Sequence, residues 1–203
     1  MKMVKKLAAL AAVALLALGS AAASDMGMYA KLGLGYANWH IGSGDYKDDC
    51  GHFSIKPVFG ITKVIPQVKE LSFEAFLDID FGSTDIHSVT VDTRVITPGA
   101  RAIWSFPLAE MTGNKSLEKL VPYAGAGFCT AIVHWEYSET FVIPGYGSYR
   151  VSDDATKTYF ELDTLAGCRY DISDKIGAGA ELGMRYGNAF NWSLTAALTY
   201  NIK

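Results

Sequence analysis

The sequence predicts an all-β fold, an eight-stranded antiparallel up-and-down transmembrane β-barrel, on three observations. Apolar side chains alternate with polar or small ones over eight separate segments, the period of a strand with one apolar face. No apolar run after Leu18 is long enough for a spanning helix, although half the residues are hydrophobic; apolar content spread as alternation suits a barrel. Long connections follow the first, third and fifth segments and short turns follow the second and sixth, the asymmetry of a barrel with short turns on one side of a membrane.

The chain opens with Lys2, Lys5 and Lys6, an apolar run from Leu7 to Leu18 and the small residues Gly19 to Ala23. This pattern predicts a cleaved secretory signal peptide over 1–23 and a barrel domain over 24–203. Cleavage removes three lysines, so eighteen basic residues become fifteen against twenty-one acidic ones. That balance gives no reason to expect nucleic acid as a partner. Cys50, Cys129 and Cys168 are an odd number for an exported chain, so at least one is free or bonded to another molecule.

Strand one, about Met28 to His40, sets Ala30, Leu32, Leu34 and Tyr36 against Lys31, Gly33, Gly35 and Ala37. A polar loop with Gly42, Ser43, Gly44 and Asp45 leads to strand two, about His52 to Lys63, with Phe53, Ile55, Phe59 and Ile61 outward and Lys56 inward. Pro57 removes a ladder donor and predicts a bulge. Strand three sets Leu71, Phe73, Ala75, Leu77, Ile79 and Phe81 against Glu70, Ser72, Glu74, Phe76, Asp78 and Asp80. Four carboxylates on one face need cations from other strands. After a loop over 82–90, strand four (about Val91 to Phe106) points Trp104 outward and Arg101 inward.

The connection from Pro107 to Val121 is too long for a tight turn, and Asn114 to Leu120 has room for a turn of helix. Strand five, about Pro122 to Tyr137, reads with Cys129 outward and Phe128 and Ile132 inward. The longest loop, Ser138 to Ala155, carries Phe141, Tyr146 and Tyr149. Strand six, about Thr156 to Ile172, has Phe160, Leu162, Cys168 and Tyr170 outward and Glu161, Asp163, Leu165, Arg169 and Asp171 inward. Strands seven and eight form a hairpin, with Leu182, Met184 and Tyr186, then Trp192, Leu194 and Leu198, opposite Glu181, Arg185 and Thr195.

The signal peptide, eight amphipathic segments, loop asymmetry and aromatic strand ends together resemble the small eight-stranded outer-membrane barrels of the OmpX, OmpA N-terminal and OmpW kind. The resemblance implies a bacterial outer-membrane protein, inserted by the barrel assembly machinery as a monomer among lipid and lipopolysaccharide. The chain departs from those barrels at its end, which is Asn201, Ile202 and Lys203 instead of an aromatic residue. A lipocalin-like soluble binder would turn the same alternation inside out. Its outer face should carry many lysines, yet only Lys31 and Lys56 sit well inside strands of the mature chain.

The inward charges Lys31, Lys56, Glu70, Glu74, Asp78, Asp80, Arg101, Glu161, Asp163, Arg169, Glu181 and Arg185 form the main candidate site, a lumen charge network. It reads either as a gate for small ions or as an ion-pair plug. Eight strands leave room for little beyond side chains, and buried charge must be paired, so the plug is expected. Phe76, Phe128, Ile132 and Leu165 are candidate apolar lumen lining. If strands five and six pair around Gly147, Cys129 and Cys168 become outward neighbours, placed either for a disulfide or as two small apolar residues in lipid. His40, His52, His87 and His134 fall at the loop end, with Asp49 and Cys50 near His52, but the spacing matches no metal motif. They are expected to be solvated rim residues, with no metal and no cofactor. No nucleophile stands near His134 and Glu136, so catalysis is not expected.

The function expected is a structural one, with extracellular loops contacting a ligand through Phe141, Tyr146 and Tyr149. The alternative is a narrow channel for small or hydrophobic solutes, as likeness to OmpW implies.

Overall fold

The computed structural model describes residues 26–43, 46–65, 67–86, 89–143, 147–187 and 190–202. The expected signal peptide, His87 and Tyr146 lie outside the described residues, as do the side chains of His40, Asp49 and Phe141.

Eight strands follow one another: β1 (Gly27–Ser43), β2 (Tyr46–Thr62), β3 (Leu71–Ile86), β4 (Val89–Ser105), β5 (Leu120–Ile143), β6 (Gly147–Asp171), β7 (Ile176–Tyr186) and β8 (Phe190–Ile202). Each pairs antiparallel with the next, and β8 closes on β1. Aligned residues run from Ala30 through Phe59, Ala75, Ala100, Phe128, Leu162 and Tyr186 to Phe190. That path returns to β1 about ten residues further along, a stagger that tilts the strands of an eight-stranded barrel by roughly 40°. Closure satisfies the backbone within lipid, where an open edge would leave polar groups unpaired.

Every residue on that path faces outward. The outward face carries Leu32, Leu34, Phe73, Leu77, Leu182, Leu194 and Leu198, all exposed. Aromatic residues cluster toward the outer end, where Tyr36 lies 5.6 Å from Trp192, Tyr186 5.4 Å from Phe190 and Phe128 5.5 Å from Phe160. Trp104, Tyr170 and Tyr200 are exposed near the other end. Two aromatic girdles around an apolar band are the outer surface of a membrane barrel.

Strand five faces the opposite way from the expectation. Phe128 is 58% exposed and Cys129 only 3%. Phe128 and Ile132 point to lipid, whereas Tyr123, Cys129, Ala131, Val133 and Trp135 point inward. Small residues on both faces, Ala124 to Gly127, blur the period there. The pairing of Phe128 with Ala100 and Leu162, both outward, decides the face.

The bulge expected at Pro57 is not formed. Pairing between β2 and β3 stops at Ile55↔Ile79 and resumes at Val58↔Phe76 in the same register. Pairing between β4 and β5 skips Pro98 in the same way, from Ile96↔Ile132 to Gly99↔Cys129. Each proline withholds a donor and opens the ladder without adding a residue.

The long loops expected after strands one, three and five are largely strand. Pairing continues to Ser43↔Tyr46, to Ile86↔Val89 and to Ile143↔Gly147. Beyond the bilayer both faces meet water, so apolar alternation fades while the backbone ladder persists. The 107–121 connection holds a short helix α1 (Leu108–Thr112), ended by Gly113 at φ 70°, and a 3₁₀ turn over Lys115–Leu117. The 3₁₀ turn falls within the segment expected to be helical; α1 lies outside it.

Candidate functional site

The barrel interior is built around buried ions. Lys31 on β1 donates to Glu74 on β3 at 2.8 Å and also bonds Glu181 on β7. Arg101 on β4 donates from Nε to Glu74 at 2.7 Å, and its Nη1 lies 3.3 Å from Asp163 on β6. A second group centres on Asp78, which pairs with Lys56 at 3.1 Å and with Arg185, and accepts from Ser54 Oγ at 2.6 Å. Arg185 also lies 3.7 Å from Asp80 and 3.6 Å from Asp163. Asp163 therefore joins the two groups into one network. The guanidinium of Arg101 rests 4.7 Å above Phe76, and that of Arg185 5.6 Å from Trp39.

Two tyrosines complete the network by crossing an intervening strand. Tyr29 is aligned with Gly60, which is aligned with Glu74, and the Tyr29 hydroxyl donates to Glu74 at 2.7 Å. On the other side Tyr123 is aligned with Gly167, Gly167 with Glu181, and Tyr123 donates to Glu181 at 2.8 Å. A Cβ at Gly167 would lie 2.7 Å from the Tyr123 ring, so the ring needs a glycine there. A search of the sequence for inward charges passes over both tyrosines. Their signal is an inward glycine beside an inward tyrosine, legible only once register is known.

Ten of the twelve expected lumen charges are buried in the barrel. Glu161 is among these, but among the described residues its bond is to Asn191 Nδ2 at 3.5 Å, with no cation in contact. Glu70 and Arg169 stand at the rim of the end that carries α1, where Arg169 pairs with Asp171 at 2.7 Å beside a vestibule of about 250 Å³.

Apolar side chains fill the space between and above the ions. Phe76 packs with Val58 and Cys129, and Leu165 with Ile103 and Tyr123. Toward the outer end Trp39, Val91, Val95, Ala131, Val133 and Trp135 form one buried cluster across the lumen. Trp39 links the layers, since its Nε1 donates to Asp80 at 2.9 Å. Of the four expected lining residues, Phe76 and Leu165 are inside as packing, and Phe128 and Ile132 are outside.

Cys129 is inward and aligned with Glu161, whereas Cys168 is aligned with Pro122, seven positions away along the ladder. All three cysteines are free, so the expected neighbour relation does not occur. His52 is not a solvated rim residue: it is 1% exposed, and its Nδ1 donates to the Cys50 carbonyl at 2.9 Å. His134 is paired with Thr156 Oγ1 at 2.9 Å on the outward face. No group of three or more His, Cys, Asp or Glu among the described residues is arranged to hold a metal ion.

The outer end is asymmetric. The last aligned pair of β6 with β7 is Leu162↔Tyr186, so Gly147 to Glu161 have no strand partner on that edge among the described residues. Pairing of β1 with β8 likewise ends at Asn38↔Trp192, while β1 continues along β2 to Ser43. A long β5–β6 ribbon thus stands beside a low β7–β8 wall. Tyr149 and Val151 on it are exposed, and Lys157 lies 5.7 Å from the Trp135 ring.

A closed eight-stranded barrel with lipid-facing apolar residues, aromatic girdles and a charged, filled interior defines a bacterial outer-membrane protein. The chain belongs to the outer membrane protein beta-barrel domain family, whose model matches residues 8–202. The fold is similar to that of Neisserial surface protein A, at TM-score 0.56 and 18% identity, covering 87% of this chain and 97% of that one. It is also similar to a major outer membrane protein from Thermus thermophilus, at TM-score 0.55, 9% identity and coverage of 85% and 99%. The attachment invasion locus protein Ail of Yersinia pestis matches at TM-score 0.50, 14% identity and coverage of 85% and 98%. No curated protein matches.

Proposed function

We propose that this protein is a sealed membrane anchor that displays the β5–β6 ribbon to an extracellular partner. The observation that carries this reading is the β6 edge from Gly147 to Glu161, which has no strand partner among the described residues. An unpaired strand edge offers a row of backbone donors and acceptors to an extended segment, and Tyr149 supplies an aromatic contact beside it. The names of two similar structures, a surface protein and an attachment invasion locus protein, fit such display. Residues 1–23 direct export and are removed, and the closed sheet stands as a monomer, inserted by the barrel assembly machinery, with lipopolysaccharide around its outer end. The interior is a plug: ion pairs and the Trp39 to Trp135 cluster occupy the lumen that a conduit would need. The protein has no catalytic role.

The test is selection of displayed random peptides against the protein in lipid nanodiscs, with a variant whose residues 136–154 are replaced by a two-residue turn flanked by the aligned pair Trp135↔Ala155 as counter-selection. Extended peptides that bind the full protein, not the short variant, and that lose binding when their amides are N-methylated support strand addition. Binders that ignore the ribbon, or steady bilayer conductance by the intact barrel, would overturn the reading.

A further inference from the structure

The geometry points to a phospholipid site on the outside of the barrel at the α1 end, selective for a lipid with a primary ammonium headgroup. A groove of about 400 Å³ lies between the end of β4 and α1, lined by Glu70, Trp104, Phe106, Glu110 and Met111. Its apolar wall continues the lipid-facing surface. Trp104 is an exposed member of the girdle, and Met111 on α1 projects 65% exposed beside it. The groove therefore opens into the bilayer interface, and the occupant that fits is a lipid whose acyl chain lies along Trp104, Phe106 and Met111.

Charge selects the headgroup. The groove contains two carboxylates, Glu70 and Glu110, and no basic residue. Neither carboxylate has an ion-pair or side-chain hydrogen-bond partner among the described residues. The nearby lysines Lys63 and Lys69 line the vestibule on the inner side of the rim and do not line the groove, while Glu70 and Ser105 border both. Two unpaired carboxylates beside indole and phenyl faces attract an ammonium group by charge and by cation–π contact and repel an anionic headgroup. The orientation follows: the loop and ribbon end faces outside, so this groove meets the periplasmic leaflet.

The test is native mass spectrometry of the protein extracted in a non-ionic detergent and offered equal amounts of phosphatidylethanolamine and phosphatidylglycerol with identical acyl chains. The intact protein is expected to retain the ethanolamine lipid about three- to fivefold over the glycerol lipid, the scale of two partly exposed charge contacts. E70Q/E110Q is expected to bring that ratio to about one while total lipid retention stays the same. E110Q alone, on α1 outside the barrel wall, is expected to lower the ratio part of the way should the double variant fold poorly. A ratio near one for the intact protein, or a preference that neither variant changes, would overturn the proposal.

Discussion

The Tyr123 hydroxyl donates to Glu181 at 2.8 Å from two strands away, across Gly167 on the strand between them. Glu181 also accepts from Lys31, so one carboxylate ties β1, β5 and β7 together through the barrel axis. The Lys31 contact crosses the β1–β8 seam and so rewards closure over an open sheet.

Replacing Tyr123 by Phe removes a hydrogen bond to a buried charge and is expected to cost about 2 kcal/mol. Gly167→Ala should destabilise as well, because its Cβ would meet the Tyr123 ring at 2.7 Å. The urea midpoint for unfolding from lipid vesicles checks both. Midpoints equal to that of the parent would show that the crossing contributes nothing.

Arg185→Met leaves Asp80 with no cation among the described residues and takes one of two cations from Asp78, which keeps Lys56, and from Asp163, which keeps Arg101, all three carboxylates being buried. Loss of one partner from a buried ion network costs about 3–5 kcal/mol. Refolding yield, followed by heat-dependent gel mobility, is expected to fall, while the refolded fraction stays electrically silent in bilayers. A variant that folds normally and conducts would reverse the reading of the lumen as a plug.

Cys168 faces outward, whereas Cys50 and Cys129 are buried. A lipid-soluble maleimide should label Cys168 in the folded barrel and leave the other two until unfolding. Gel mobility without reductant should match that with it. A disulfide between Cys129 and Cys168 would contradict the register of β5 and β6.

Phe128→Arg and Ile132→Arg place a charge on the lipid face, whereas neither side chain would enter the lumen. Each is expected to destabilise by up to about 2–4 kcal/mol, less toward the interface. Unfolding midpoints measured in vesicles test the orientation of β5 directly, since an inward arginine at position 128, aligned with Leu162, would instead meet Glu161 or Asp163.

Much of the barrel is legible in the chain. Leu71 to Phe81 and Trp192 to Tyr200 alternate so cleanly that their faces follow from period two, and Arg101 and Arg185 are recognisable as inward cations. The face of strand five is not legible, because Ala124, Gly125, Ala126 and Gly127 give no contrast between its two sides. The ribbon reads as a loop because alternation reports lipid on one side, and beyond the bilayer that contrast is gone while pairing to Ile143↔Gly147 continues.

The sequence by itself determined strand number, location and the residue types of the interior, because a bilayer imposes apolar alternation on every crossing segment. Only the tertiary structure decided which carboxylate meets which cation, that Tyr29 and Tyr123 reach across Gly60 and Gly167, and that β6 outruns β7. Those relations depend on register and on the stagger with which the sheet closes, and both are set by all eight strands at once.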